Sequence, residues 1–281
     1  MKKIMSYMII LTFCVVMAKP VEVEKIATTS AVFSTPESVN YDSKSGHLFI
    51  SNIDGDPTGM DGNGYISIIK KNGEIVNKKW VTGLNAPKGA GIHKNMLYVT
   101  DINKVVAIDI DSAKIVRSFS FPEAKFLNDI AIDKDGNIYI SDSSPDNSVI
   151  YKLKNGHKEK WLDGPVINRP NGLLIIDEYL YFGNSGEGSI MRAELKTGKV
   201  GFVADVGSGV DGLKQDKNGN FIVSDWKGKT SLITPPDKEE ILLNTSEKNI
   251  NSADLEFIKE ENLLYIPTFL DNRIMIYKIK Y

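Results

Sequence analysis

Four residues with oxygen-bearing side chains occupy the same position in an internal repeat of the sequence. The six positions related by the repeat lie 51, 40, 43, 40 and 42 residues apart, and they are Glu37, Lys88, Asn128, Asn171, Asp211 and Ala253. Carboxylates and carboxamides offer only oxygen to a cation, which suits hard ions such as Ca²⁺ or Mg²⁺. Zinc is disfavoured, because the histidines fall outside these positions. If the equivalent positions meet in space, the sequence predicts a cation site.

The repeat itself is a strand-rich unit. Residues 127–142 and 210–225 show it most clearly, each as two short alternating strands joined by an Asp/Asn-Gly turn, which indicates a β-hairpin. Weaker copies begin at Pro36, Pro87, Pro170 and Ser252. Spacings of ~40–45 residues are typical of four-stranded propeller blades. The sequence therefore predicts six such units.

We accordingly expect an all-β fold, a six-bladed β-propeller of four-stranded antiparallel blades that fills residues 19–281. A strand around Lys25 to Phe33 is expected to close the ring by joining the last blade. The longer first interval is explained by a Gly/Asp-rich loop from Asn52 to Gly64, which could cover the site or form a solvated turn. Inner strands of a propeller start beside its axis, so the repeated positions should converge there.

The N-terminus and the charge balance bound the location and partners. The 281 residues carry 34 basic and 36 acidic side chains, which argues against nucleic acid or an acidic membrane as partner. Lys2 and Lys3 precede an apolar run from Ile4 to Met17, and Ala18 follows, as in a secretory signal peptide, here residues 1–18. The run is short of the ~20 residues that span a bilayer. We expect a periplasmic or secreted monomer that leaves the membrane after cleavage; an uncleaved anchor or a lipidated Cys14 are the alternatives.

Several of these motifs occur together in one known group of propellers. Pro36-Glu37, Leu127-Asn128-Asp129, the stretch 169–173 and Val210-Asp211-Gly212 resemble the superfamily of senescence marker protein (regucalcin), gluconolactonases and luciferin-regenerating enzyme, with paraoxonases more distant. The resemblance covers about residues 30–281. It implies one axial divalent cation, Ca²⁺ first, with Mg²⁺, Mn²⁺ or Zn²⁺ as alternatives. The implied ligands are Glu37, Asn128, Asn171 and Asp211, with Asp129 in or beside them.

The same resemblance implies a metal-dependent hydrolase that opens a small lactone, such as a sugar lactone or a related cyclic ester. Asp211 is the expected general base, and Asp129 the second choice. Lys88, Arg169 and Asp254 are candidates for contacting the substrate. Lys88 stands where paraoxonase-like members have a histidine. It could pair with Asp129 or Asp254, bind an anionic substrate, or lie at the rim as a surface lysine.

A second interpretation is a non-catalytic propeller. The segment 271–274, Asp-Asn-Arg-Ile, resembles NHL-type repeats, many of which bind partners, and the axial metal would then be structural. The Ser-Asp and Thr-Asp pairs after the second strand of each unit have a different role. Asp101, Asp142 and Asp225 are expected to cap turns between strands rather than to do chemistry.

Overall fold

The computed structural model describes residues 20–281, so the predicted signal peptide lies outside the described part of the chain and stays a prediction. These residues form six separate four-stranded antiparallel sheets. The helical segments of the described residues are two single 3₁₀ turns, Ser246–Lys248 and Phe269–Asp271. Within residues 20–281 no helix is long and apolar enough to cross a membrane. The prediction of a six-bladed β-propeller is confirmed.

The chain begins with β1 (Glu22–Thr28) and then builds the blades in order, from the innermost strand outward. The first three blades are, in turn, β2 (Pro36–Asp42), β3 (His47–Asn52), β4 (Gly64–Lys70) and β5 (Ile75–Leu84); β6 (Pro87–His93), β7 (Met96–Asp101), β8 (Lys104–Asp109) and β9 (Lys114–Ser120); and β10 (Leu127–Ile132), β11 (Ile138–Asp142), β12 (Val149–Lys154) and β13 (His157–Leu162).

The remaining three blades continue the pattern. They are β14 (Pro170–Ile176), β15 (Tyr179–Asn184), β16 (Ser189–Glu194) and β17 (Val200–Asp205); β18 (Leu213–Gln215), β19 (Phe221–Asp225), β20 (Lys229–Thr234) and β21 (Lys238–Asn244); and β22 (Glu256–Ile258), β23 (Leu263–Pro267) and β24 (Ile274–Lys280), whose fourth strand is β1. The insertion of the first blade is the connection between β3 and β4, as predicted.

The inner hairpins form because their turns satisfy the backbone locally. In the third blade, Asp133 accepts hydrogen bonds from the amides of Asp135 and Asn137 at 3.0 and 2.9 Å. Gly136 between them has a φ of 81°, which favours glycine. The equivalent Asp216 turn of the fifth blade repeats this arrangement. These turns hold the inner strands in register, far from the end where the site lies.

Ring closure differs in detail from the expectation. The N-terminal strand pairs antiparallel with β24 from Glu22 opposite Lys280 to Thr28 opposite Met275, so it ends five residues before Phe33. The predicted range, Lys25 to Phe33, is therefore too late. Thr29 still exchanges hydrogen bonds with Ile274 at the start of β24, and residues 30–35 then carry the chain from the rim of the last blade to the axis, where β2 begins.

Apolar side chains fill the junctions between blades. Each of six buried clusters joins two neighbours: the first blade meets the sixth through Val39, Ile50 and Tyr265, for example, and meets the second through Phe49 and Val99. The other four junctions are built in the same way. Packing on both faces of every blade makes the ring rigid and holds the ends of the inner strands in place.

Candidate functional site

The repeated positions converge at one end of the ring axis. Five of the six line a single cavity of about 890 Å³, and these five are Glu37, Lys88, Asn128, Asn171 and Asp211. Ala253, the sixth, is fully buried and packs with Ile53 and Phe269 beneath the cavity wall. The cavity floor thus carries two carboxylates, two carboxamides and one ammonium group, brought together from five blades.

Hydrogen bonds between neighbouring blades hold this floor. One or more occurs at each of the six junctions: Ser38 Oγ to Lys88 O (2.7 Å), Thr100 Oγ1 to Asn128 O (2.6 Å), Leu173 N to Asp129 Oδ2 (2.6 Å), Asn171 Nδ2 to Asp211 Oδ1 (3.1 Å), Ser224 Oγ to Ala253 O (2.8 Å) and Asp254 N to Glu37 O (2.9 Å). Four of the six involve the backbone of a repeated position or of its sequence neighbour Asp254. The positions of the candidate ligands are therefore fixed by the ring itself.

Glycines permit the close approach of the inner strands. A Cβ on Gly89 would lie 2.5 Å from the Cα of Asp129, and one on Gly172 would lie 2.5 Å from the carbonyl oxygen of Asp211. Such distances leave no room for any side chain, because the opposing atoms belong to the backbone. The glycine that follows a repeated position is thus a packing requirement of the axis.

The Asp residues that end the second strands hold the backbone that leads into the site. Asp101 accepts hydrogen bonds from the amides of Asn85 and Ala86, just before Lys88. Asp142 does the same for the amides of Lys125 and Phe126, just before Asn128. Their carboxylates are buried and satisfied by the backbone. They position the chain that leads into each repeated residue, which agrees with their expected capping role.

Two buried oxygen atoms of the floor have no hydrogen-bond partner. Glu37 Oε2 and Asn171 Oδ1 are inaccessible to solvent and receive no donor from the described residues. Asn171 donates through Nδ2 to Asp211, which leaves its carbonyl oxygen free. Unsatisfied buried oxygens are costly. A cation with oxygen ligands would satisfy both, so the set fits Ca²⁺ chemically.

The charge balance of the floor supports the same fit. Glu37 and Asp211 are 5% and 7% exposed, and burial raises the pKa of Asp211 to about 7 even though Asn171 donates to it. Burial and the neighbouring Asp211 raise the pKa of Glu37 well above its ordinary value. Residues 20–281 contain no group of three His, Cys, Asp or Glu side chains placed to hold a metal ion. The carboxamides of Asn128 and Asn171 would have to complete the coordination.

Asp129 and Asp254 are buried and are not among the residues that line the cavity. Both carboxylate oxygens of Asp129 accept backbone amides, Oδ1 from Ile130 and Oδ2 from Leu173, each at 2.6 Å. Burial raises its pKa to about 6. Asp254 Oδ1 is buried without a partner. The roles of these two residues in catalysis and substrate contact stay predictions.

Lys88 is neither at the surface nor paired with an acid. It is 2% exposed, and Nζ donates to the carbonyl oxygens of Pro57 (2.8 Å) and Ala86 (3.2 Å). It also lies 4.4 Å from the centre of the Phe126 ring. Burial lowers the pKa of its ammonium to about 8. Because Pro57 belongs to the insertion of the first blade, Lys88 ties that loop to the cavity wall.

The cavity mouth contains residues that the repeat did not single out. Arg169 lines it as expected, together with Lys125, Lys227, Phe126 and Trp226. The sequence analysis identified Arg169 as a candidate but none of the other four residues. They lie in connections next to the strands, where the repeat has no fixed residue type. The one feature of the sequence that could have identified them is their position, because each lies one or two residues before an inner strand or after the second strand of a blade.

The fold defines the class of protein: a closed six-bladed β-propeller with a polar axial cavity. No protein-family model matches the sequence, and no curated protein matches it. Among solved structures, a catalytically inactive variant of virginiamycin B lyase from Staphylococcus aureus, solved with quinupristin, is similar over 92% of this chain and 99% of its own, with 16% identity and a TM-score of 0.64. A streptogramin B lyase covers 92% and 98%, with 14% identity and a TM-score of 0.67.

A protein whose structure carries the name "putative gluconolactonase" is also similar, over 92% of both chains, with 16% identity and a TM-score of 0.68. Gluconolactonases are among the proteins that the sequence motifs resemble. At these identities the likeness establishes a shared six-bladed propeller fold.

Proposed function

We propose that this protein is a metal-dependent hydrolase that opens a lactone or related cyclic ester in its axial cavity. One observation carries the proposal: two carboxylates and two carboxamides from four blades meet at the floor of one cavity, and two of their buried oxygens lack partners. A scaffold without an axial cation would have no need of this set. The fold alone decides nothing about function.

Glu37, Asn128, Asn171 and Asp211 would hold the cation, with Ca²⁺ the first candidate. When bound, it would supply a Lewis acid for the ester carbonyl and its developing oxyanion. Glu37 and Asp211 would neutralise part of its charge, and the carboxamides would add neutral oxygens. The hydrogen bonds between blades keep these side chains in place before substrate arrives.

Asp211 is the best-placed general base. It lines the cavity, and only its Oδ1 accepts a hydrogen bond from the described residues, from Asn171. Oδ2 is left to accept a proton from the attacking water. Asp129 is less suitable, since both of its oxygens already accept backbone amides. Lys88 and Arg169 line the same cavity and remain candidates for holding the substrate.

A lyase is the second candidate, because two of the similar structures are lyases by name. A lyase would break the ring ester without adding water, so its product would keep the mass of the substrate. A hydrolase product would be heavier by one water. The proposed site would be exposed to the periplasm or medium, given the predicted signal peptide at residues 1–18.

The test is hydrolysis of a lactone panel by residues 19–281 after chelation, with Ca²⁺, Mg²⁺, Mn²⁺ or Zn²⁺ added back. The panel combines aldonolactones with the aryl lactone dihydrocoumarin, and mass spectrometry identifies each product. Metal-dependent turnover with a gain of one water, lost in Glu37→Gln and Asp211→Asn, is the expected result. An unchanged product mass would indicate the lyase. Tight cation binding without turnover on any lactone would indicate the non-catalytic propeller.

A further inference from the structure

The mouth of the axial cavity is divided into a cationic arc and an apolar arc. The cationic arc is formed by Lys125, Arg169 and Lys227, which belong to the third, fourth and fifth blades. All three are exposed. Within residues 20–281 none of them forms an ion pair. Three consecutive blades thus direct uncompensated positive charge to one side of a cavity in a protein whose net charge is -2.

The apolar arc continues from the fifth blade through the sixth to the first. Trp226 is 44% exposed and packs edge-on against Phe269, with ring centres 5.5 Å apart. Ile53 and Pro57 extend this wall along the first-blade insertion. A half-exposed indole on a cavity wall offers a large flat contact for an apolar ligand. This surface extends further than the C–H face of one sugar ring requires, which favours a ligand with a larger apolar ring system.

The charges below the rim do not cancel the cationic arc. Asp225 is the one carboxylate of the lining outside the floor, and it accepts the amide of Lys227 at 3.0 Å. On the floor, Glu37, Asp211 and Lys88 are all nearly buried, so their charges lie below the exposed rim. An anionic group at the mouth would therefore meet the positive charges of the rim first.

The volume agrees with a ligand larger than a monosaccharide lactone. About 890 Å³ lies in the upper part of the range, ~300–1,000 Å³, that drug-sized ligands occupy. We propose that the substrate is an amphipathic anion: a lactone or cyclic ester with an apolar ring system and a carboxylate or phosphate group. The ring system would pack on Trp226 and Phe269, and the anionic group would contact Lys125, Arg169 and Lys227. That the substrate is a lactone rests on the proposed function. That it is an amphipathic anion is inferred from the residues at the cavity mouth.

Binding of two matched probes tests the ligand class without requiring turnover. Residues 19–281, which include the whole propeller, are titrated with 2-naphthoate and with neutral 2-naphthamide by calorimetry, both with Ca²⁺ and with chelator. We expect naphthoate to bind more tightly in both conditions. Each of Lys125→Gln, Arg169→Gln and Lys227→Gln should weaken naphthoate about three- to tenfold more than naphthamide. Trp226→Ala should weaken both probes by about tenfold.

Lys134→Gln is the matched control, because Lys134 is exposed in the turn of the third blade at the opposite end of the inner strands. It should change neither affinity. Equal binding of the two probes by the wild type would overturn the proposal, as would a preference for naphthoate that survives all three rim variants. A preference that appears only with Ca²⁺ would also overturn it, since the metal alone would then be responsible.

Turnover separates this proposal from the proposed function. Dihydrocoumarin and its 6-carboxylate are compared as substrates under the same conditions. A higher kcat/KM for the carboxylate, reduced in the rim variants, supports both proposals. Turnover of both lactones at equal kcat/KM, without a preference for naphthoate, keeps the hydrolase and overturns the anionic substrate. No turnover, with the preference for naphthoate intact, refutes the hydrolase and supports the ligand class.

Discussion

Replacing Asp211 by Asn should stabilise the metal-free protein at pH 8. Burial raises the pKa of Asp211 from 3.8 to about 7 in the folded chain. Because folding raises this pKa, the stability that the group contributes is complete below about pH 4 and is lost as the pH rises through 7. At ~1.36 kcal/mol per pH unit, ionisation of the folded carboxyl costs about 4 kcal/mol at pH 8. Asn removes the charge and keeps an oxygen for the amide of Asn171.

We expect Asp211→Asn to raise the free energy of unfolding in chelator at pH 8 by about 2–4 kcal/mol, which corresponds to roughly 4–8 °C in Tm for a domain of this size. At pH 4 the difference should nearly vanish. Adding Ca²⁺ at pH 8 should raise the Tm of the wild type and leave that of the variant almost unchanged. The measurement is thermal unfolding by circular dichroism, with urea titration as a second method.

Asp142→Asn is the matched control, because the same change there should have the opposite sign. Asp142 accepts the backbone amides of Lys125 and Phe126 at 2.9 and 3.0 Å. Losing one charged acceptor should cost about 1–3 kcal/mol with or without Ca²⁺. Loss of stability in metal-free Asp211→Asn, or an equal response of variant and wild type to Ca²⁺, would show that the buried charge of Asp211 does not destabilise the metal-free fold.

Three further predictions concern the ring and its loop. Lys88→Met removes the donor to the Pro57 carbonyl, so thermolysin should cleave the loop 53–63 about fivefold faster or more; an unchanged cleavage rate would show that Lys88 does not hold the loop. Gly89→Ala forces a Cβ against the backbone of Asp129 and should lower the unfolding free energy by more than ~3 kcal/mol in urea; an unchanged midpoint would contradict the close approach at the axis. The chelated wild type should be more stable at pH 5 than at pH 8, because burial raises the pKa of the axial carboxyls, and Ca²⁺ should remove most of that difference; a rising Tm toward pH 8 in chelator would contradict it.

The sequence predicted the blades and the residues that converge because both depend on the repeat. Glu37 and Asp211 lie far apart in the chain, yet they occupy the same position in the repeat, and that was enough to predict that both lie at one cavity floor. The insertion between β3 and β4 was visible as an excess of residues in the first interval. The closing strand was placed too late, since nothing in the sequence marks where the chain leaves β1 for the axis.

The mouth of the cavity could not be predicted in the same way. Trp226 and Lys227 follow a second strand, where the other blades carry unrelated residues, so no comparison between repeats points to them. The burial of Lys88 depends on a carbonyl of the insertion, Pro57, which the repeat lacks. Asp129 follows a repeated position in sequence, but one of its oxygens accepts the amide of Ile130 in the same blade and the other accepts that of Leu173 in the fourth blade, a detail set by strand geometry.

The axial cation site is tested most directly by calorimetric titration of metal-free residues 19–281 with Ca²⁺ at pH 7.5. We expect one site per chain, abolished when Glu37→Gln and Asp211→Asn are combined and retained in Asp142→Asn. Absence of binding in the wild type, or binding that survives the double substitution, would contradict an axial cation site at this cavity floor.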